Sequence, residues 1–263
     1  MLKDEQEFFH DIAPKIIKLI QKAQGSGHNL HQKGGSLLNY VTDADIKVEE
    51  VLVKEIKKRF PNDFIQAEEL HSKQEVVNKG RIWLIDPICG TPNFARAFGG
   101  FFATNIALAR DGRLIASCVI DHSQKNYIWS VGSERIYINN KEVFYKNAPG
   151  VEIEVDFGVV PHLNPPQKKL FSRFTNKLLL DTNYSLFSHG TTLAFAYVAL
   201  GKIDGYISWI HEPLHKAAAI FLILQSGGIV TDFSGKPWTL QSSNVVAAHD
   251  KALHEEILGF LKD

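Results

Sequence analysis

The sequence predicts a mixed α/β protein, α+β in its first half and α/β in its second. Three observations carry that prediction. Two apolar patterns of helical period open the chain, a run of short strands separated by turn residues follows, and the remainder alternates strands with helices. The stretch from Tyr145 to Glu152, with Asn147, Pro149 and Gly150, is the expected junction. It divides the chain into 1–146, a helix-covered antiparallel-sheet half with most of the candidate ligands, and 147–263, an α/β half that completes a cleft.

The elements follow in order. Phe8, Phe9, Ile12, Ile16, Ile17, Leu19 and Ile20 fall on one face of a helix over residues 4–24, closed by Gly25-Ser26-Gly27. A loop with Lys33, Gly34 and Gly35 is expected from His31 to Asn39. Thr42 or Asp43 caps a second helix, whose apolar face is Ile46, Val48, Leu52, Val53 and Ile56 and which ends before Phe60-Pro61. Phe64 to Ala67 reads as a strand leading into Glu68 and Glu69. Trp83-Leu84-Ile85 is a short buried strand. Pro87 has no amide proton, so pairing is expected to stop there and to deliver Asp86, Cys89 and Thr91 to one loop at the strand's carboxyl end, with Gly90 at a tight turn. Open sheets commonly bind ligands in such a crevice.

Two strands joined by Asp111-Gly112 come next, and the meander continues through Tyr127–Val131 and Arg135–Ile138 with a turn at Asn139-Asn140. In the second half, strands are expected at Phe157–Val160, Ser185–Ser188, Tyr206–Trp209 and from Ile229. Helices are expected at Lys168–Leu180, Thr191–Leu200 and Lys216–Gln225.

Composition excludes several classes. The chain has 263 residues, 44% of them hydrophobic and 22% charged, as in a soluble globular protein. Twenty-nine basic residues balance 29 acidic ones, so no net basic field points to nucleic acid. Cys89 and Cys118 make no disulfide framework, and the acidic N-terminal segment is unlike a signal peptide. Both favour a reducing, cytoplasmic setting. No apolar run approaches membrane-spanning length.

The stretch Trp83-Leu84-Ile85-Asp86-Pro87-Ile88-Cys89-Gly90-Thr91-Pro92-Asn93-Phe94 resembles the signature W-x-I-D-P-I-D-G-T-x-N-F of the inositol monophosphatase family, Mg²⁺-dependent phosphomonoesterases. Val41-Thr42-Asp43-Ala44-Asp45 through Phe60-Pro61 resembles a second family motif. Ile65-Gln66-Ala67-Glu68-Glu69 resembles its I-x-G-E-E strand end. Leu214 to Ala219 and Gln225 to Trp238 resemble its W-D-x-A-A-G and E-A-G-G-x-V-T-D motifs. The likeness runs from about Phe8 to Leu258 and implies a layered α-β-α-β-α sandwich of the sugar-phosphatase type. Among the implied ligands it departs at two positions, where Cys89 and His215 stand for family aspartates.

Residue by residue, the resemblance implies metal ligands at Glu69, Asp86, the Ile88 carbonyl, Cys89 and His215. Of the two neighbouring glutamates, Glu69 is taken as the ligand and Glu68 as solvated. Asp45 and Thr91 would hold the attacking water. Gly90, Thr91, Gly190, Thr191 and Ser208 would meet the substrate, Ser208 replacing an acid that contacts hydroxyls in inositol phosphatases. The implied cofactor is Mg²⁺. Zn²⁺ or Mn²⁺ is the alternative at the altered position, because thiolate and imidazole favour softer ions than carboxylates do. His122, His162 and His249 are read as surface residues, and His211 and Glu212 as loop residues before Pro213, with a place on the cleft wall as the alternative.

Two functions follow from the resemblance. One is a metal-dependent phosphomonoesterase acting on a small sugar, inositol or nucleotide phosphate. The other is an impaired relative that works by binding, consistent with loss of two carboxylates. A homodimer is implied as well, and neither a membrane nor a direct nucleic-acid partner is.

Overall fold

Helix α1 (Lys3–Ser26) and helix α2 (Asp43–Arg59) form the first layer of the computed structural model, which describes residues 2–26, 30–32, 40–70, 79–97, 100–146, 151–209 and 212–262. Strands β1 (Leu30–Gln32) and β2 (Tyr40–Thr42) pair antiparallel between these helices. From residue 33 to 39 the expected loop, with Lys33, lies outside the described residues, as does His211. A capping box starts α2: Asp45 N–H donates to Thr42 Oγ1, and Thr42 N–H donates to Asp45 Oδ2 at 2.8 Å.

Seven strands form the first sheet: β3 (Phe64–Ala67), β4 (Arg81–Cys89), β5 (Ala103–Arg110), β6 (Arg113–Asp121), β7 (Asn126–Ser130), β8 (Ile136–Ile138) and β9 (Lys141–Val143), side by side in chain order. A short helix α3 (Thr91–Ala95) follows β4. The sheet is antiparallel except at its edge, where β3 runs parallel to β4, so the expectation of an all-antiparallel half is corrected there. Pro87 does not end β4. The strand continues to Cys89 across a register shift between Asp86 and Cys89, and that irregularity accommodates a residue without an N–H.

The second sheet has the order β11-β10-β12-β14-β13, with β10 (Glu152–Val155), β11 (Ser185–Phe187), β12 (Gly205–Ser208), β13 (Ile229–Thr231) and β14 (Val245–Ala248). Phe157–His162, expected to begin a strand, forms a 3-10 turn instead, because β10 ends at Val155 and the chain turns before Pro161. Helices α4 (Pro165–Asp181) and α7 (Lys251–Lys262) cover the outer face of this sheet. Helices α5 (Thr192–Ala199) and α6 (Pro213–Gln225) lie between the two sheets.

Strand alternation explains the layers. Trp83 and Ile85 pack on α1 and α2, whereas Ile82 and Leu84 pack on α5 and α6. Tyr206 and Ala247 face the same central helices, while Ile207 and Val246 face the outer α4–α7 layer. The order is α-β-α-β-α, as expected.

Candidate active site

Before the register shift, even-numbered residues of β4 face the central helix layer, so the parity that buries Leu84 sends Asp86 towards the start of α6. There Asp86, fully buried, meets His215, with Oδ2 2.6 Å from Nδ1. The other ring nitrogen, Nε2, is 3.2 Å from a Glu212 carboxylate oxygen. Burial disfavours the imidazolium, but the Asp86 charge, the bonds to Asp86 and Glu212, and the Glu68 charge outweigh it. The His215 pKa therefore lies well above its ordinary value. Asp86 Oδ1 is buried with no hydrogen-bond partner.

Glu68, not Glu69, joins this pair. Its carboxylate is 4.0 Å from His215 Nδ1, and Glu68, Asp86 and His215 offer atoms within 4.8 Å of one another. The resemblance gave the ligand role to Glu69 and left Glu68 solvated, whereas the cluster beside Asp86 includes Glu68. The cause is Glu49 of α2, buried behind the strand end, whose two oxygens accept from Glu69 N (2.6 Å) and Leu70 N (2.8 Å). That clamp sets the turn after β3 so that Glu68 borders the cleft.

Gly90 links β4 to α3 with φ of 91°, and a Cβ there would meet the Phe101 carbonyl oxygen at 3.0 Å and Thr191 Cβ at 3.3 Å. Only glycine meets both conditions. The next residue, Thr91, places its hydroxyl 2.8 Å from the Ile88 carbonyl oxygen and 3.0 Å from Asp45 Oδ1. Burial raises the Asp45 pKa against the bonds from Thr42 and Thr91, and the Asp86 charge adds to the rise.

Cys89 lines the same cleft, and its sulfur is bonded to Thr192. Thr192 Oγ1 donates its one proton to the His215 carbonyl, so at 3.0 Å from Cys89 Sγ it accepts the thiol proton. Thr192 N–H donates to the same sulfur at 3.3 Å. Burial, then the Asp86 charge, push the thiol pKa up to about 11, so the neutral thiol is the form present. The expected set of Asp86, Cys89 and His215 is therefore not assembled as a metal-capable group among the described residues.

Of the other expected residues, Gly190 and Thr191 border the cleft at the start of α5, and Thr191 caps that helix by accepting from Leu193 N. Ser208 is buried instead and donates to Asp156 Oδ2 at 2.9 Å, because β12 runs behind β10's carboxyl end. His122 is buried rather than superficial, and His162 and Glu212 border the cleft. Sequence reasoning also missed Asp156 and Lys216. The signal for Lys216 was present: it is the only Asp, Glu, Lys or Arg in the otherwise apolar helix Pro213–Gln225.

The layered α-β-α-β-α order, with acids gathered near the carboxyl end of β4, is the fold that the resemblance implied. The chain belongs to the inositol monophosphatase family, whose profile matches residues 2–263. It is 26% identical over 257 residues to the fructose-1,6-bisphosphatase/inositol-1-monophosphatase of Thermotoga maritima, covering 97% of this chain and 94% of that protein. It is 27% identical over 225 residues to the Nus factor SuhB of Vibrio cholerae, covering 84% and 82%. Among solved structures, Thermotoga maritima IMPase superposes with a TM-score of 0.83 at 23% identity, covering 98% of this chain and 96% of that one.

The residues present fit one hard divalent ion. Glu68 and Asp86 supply carboxylate oxygens, one of them orphaned, beside the Ile88 carbonyl. They offer a second ion little, since the Cys89 thiol is neutral and bonded to Thr192 and the His215 Nδ1 is taken up by Asp86.

Proposed function

We propose that this protein is a divalent-metal-dependent phosphomonoesterase acting on a small phosphorylated metabolite, with one intact and one altered metal position. The observation that carries the reading is the orphaned, buried Asp86 Oδ1 beside Glu68, a short step along β4 from the Thr91–Asp45 pair. Glu68, Asp86 and the Ile88 carbonyl would hold Mg²⁺. When bound, the ion supplies positive charge to the phosphoryl oxygens and acidifies a water. Thr91 orients that water through its hydroxyl, with Asp45 accepting the hydroxyl proton. Gly90, Gly190 and Thr191 border the space for the phosphate, where backbone donors at the start of α5 favour an anion. The halves 1–146 and 147–263 supply the two walls, and the family resemblance supports a homodimer in the cytoplasm.

The test is hydrolysis of p-nitrophenyl phosphate with Mg²⁺, Mn²⁺ or Zn²⁺, compared with the Cys89→Asp/His215→Asp double variant. We expect weak Mg²⁺-dependent turnover by the natural protein. The double variant should gain more than the sum of the single changes, because ligands of one ion act together. A folded double variant with no turnover under any metal would overturn the reading.

A second reading is a binding protein without turnover. The protonated Cys89 thiol and the His215–Asp86 pair favour it, since both remove oxygen ligands from the second position. Its relative in Vibrio cholerae is named a Nus factor. Tight phosphate-ester binding without hydrolysis by either variant would favour this alternative.

A further inference from the structure

The turn that leads into α5 is held by two side chains that the proposed hydrolysis does not use. Ile153 and Val155 of β10 pack in the outer core with residues of α4 and α7, so Glu154 between them points to the other face of the sheet. Glu154 is fully buried, and both of its oxygens serve one residue. Oε1 accepts from the His189 backbone N–H at 2.5 Å, and Oε2 lies 2.8 Å from His189 Nδ1. The His189 carbonyl accepts from Asn93 Nδ2 at 2.9 Å, and the same amide donates to the Phe101 carbonyl at 2.8 Å. The His189 ring stacks on Phe101 with centroids 4.1 Å apart. His189 is therefore gripped at its N–H, its C=O and its ring, from β10 on one side and from α3 on the other.

Gly190 follows at once, with φ of 65°, and Thr191 then caps α5 and donates its hydroxyl proton to the Cys89 carbonyl at 3.2 Å. Gly190 and Thr191 border the cleft. A turn that hinges on glycine has many backbone states open to it, and each must be given up when a ligand orders it. Fixing the preceding residue at three points removes that cost before binding. Burial raises the Glu154 pKa, and the bonds from His189 work against the rise. A buried carboxyl group at this place costs stability that an apolar side chain would not. What it contributes is the placement of His189.

We infer that Glu154 and Asn93 are positioning residues that act through His189 to hold the Gly190–Thr191 turn in place for the phosphate group of the substrate. The inference rests on the phosphomonoesterase reading and adds the residues that prepare its phosphate-facing wall. The groups assigned to the ion and the water, Glu68, Asp86, Asp45 and Thr91, bond to neither of the two oxygens of Glu154. A loosened turn should therefore weaken ester binding in ground state and transition state alike, which raises KM and spares kcat.

The experiment follows Mg²⁺-dependent hydrolysis of p-nitrophenyl phosphate by the natural protein and by Glu154→Ala, Glu154→Gln and Asn93→Ala. We expect KM to rise roughly tenfold in Glu154→Ala and in Asn93→Ala, with kcat changed by less than about threefold. Glu154→Gln should restore most of the loss. Its amide oxygen still accepts from the His189 N–H, and its amide nitrogen can donate to Nδ1 once the ring takes the other tautomer. Asn93→Ala alters a half-buried side chain and remains informative if Glu154→Ala fails to fold. An unchanged KM in the folded alanine variants, or a fall in kcat as large as the rise in KM, overturns the inference. Glutamine as harmful as alanine also overturns it, since charge rather than the bonds would then be what matters. If the natural protein hydrolyses no ester under any metal, the phosphomonoesterase reading fails, and calorimetric titration with inorganic phosphate and Mg²⁺ decides the inference alone. Binding weakened roughly tenfold in Asn93→Ala supports it. Equal binding, or none to the natural protein, overturns it.

Discussion

At the scale of single residues, the choice between Glu68 and Glu69 has a direct consequence. Glu68 shares a metal-capable cluster with Asp86, whereas the backbone of Glu69 is held by Glu49. We predict that Glu68→Gln weakens Mg²⁺ or Mn²⁺ binding by roughly tenfold or more, as expected for loss of a charged oxygen ligand, and that Glu69→Gln changes it far less. Calorimetry giving the reverse order would return the ligand role to Glu69. His122 offers a separate test. Thr104 Oγ1 donates to the Pro87 carbonyl at 2.7 Å, so it accepts from His122 Nε2 at 2.9 Å, which leaves Nδ1 buried without a partner. Burial pushes this ring's pKa down to about 3. An unfolded histidine takes a proton near pH 6.5, so between there and pH ~3 the unfolded state binds more protons and stability falls as pH falls. From about pH 7 to about pH 5 this costs on the order of 1–2 kcal/mol. His122→Gln should flatten that part of the pH dependence in urea denaturation, and parallel curves for the two proteins would refute the assignment.

At the scale of elements, caps and turns decide where side chains arrive. The α2 capping box draws Asp45 inward at the helix start, where its second oxygen meets Thr91. The β4 irregularity brings Cys89 and the Ile88 carbonyl into the cleft wall. Gly201 ends α5 in the left-handed region at φ of 67°, and a Cβ there would lie 2.3 Å from the Lys146 carbonyl oxygen. Neither obstacle has a soft remedy, since the neighbour is backbone. We predict that Gly201→Ala destabilises the protein by roughly 2 kcal/mol or more, read as a lowered denaturation midpoint at unchanged slope. A neutral substitution would mean that the α5 terminus can re-form around a side chain.

At the scale of the whole molecule, α6 lies with α5 between the two sheets. Ala217, Ala218 and Ala219 are fully buried within the layer between the sheets, and Ser117 Oγ of β6 donates to the Ala218 carbonyl at 2.9 Å. Small side chains permit that approach, and the same helix carries His215 and Lys216 to the cleft from its first turn. We predict that Ala218→Leu costs about 1–3 kcal/mol through overpacking. It should also change divalent-ion binding by moving His215 relative to Asp86. A loss of stability with unchanged calorimetry would show that the helix start is held independently of its middle.

Much of this arrangement was legible in the chain because its causes are local. The alternation of β4, the Thr42–Asp45 cap, the Asp111-Gly112 turn and the Gly90-Thr91 step each depend on neighbours a few residues away, and the family motifs marked Asp45, Asp86 and Thr91. Four features depended on partners far off in sequence. The turn that presents Glu68 is set by Glu49 from α2. The burial of His122 requires Thr104 and the ring of Phe102 stacked at 5.3 Å. Ser208 lies behind Asp156 because β12 pairs with β10, and Cys89 meets Thr192 across more than a hundred residues. A sequence states which groups can donate, accept or carry charge. Only packing of the five layers decides which of them face each other without water between them, and that exclusion of water gives Asp86, Cys89 and Asp156 their distinct chemistry.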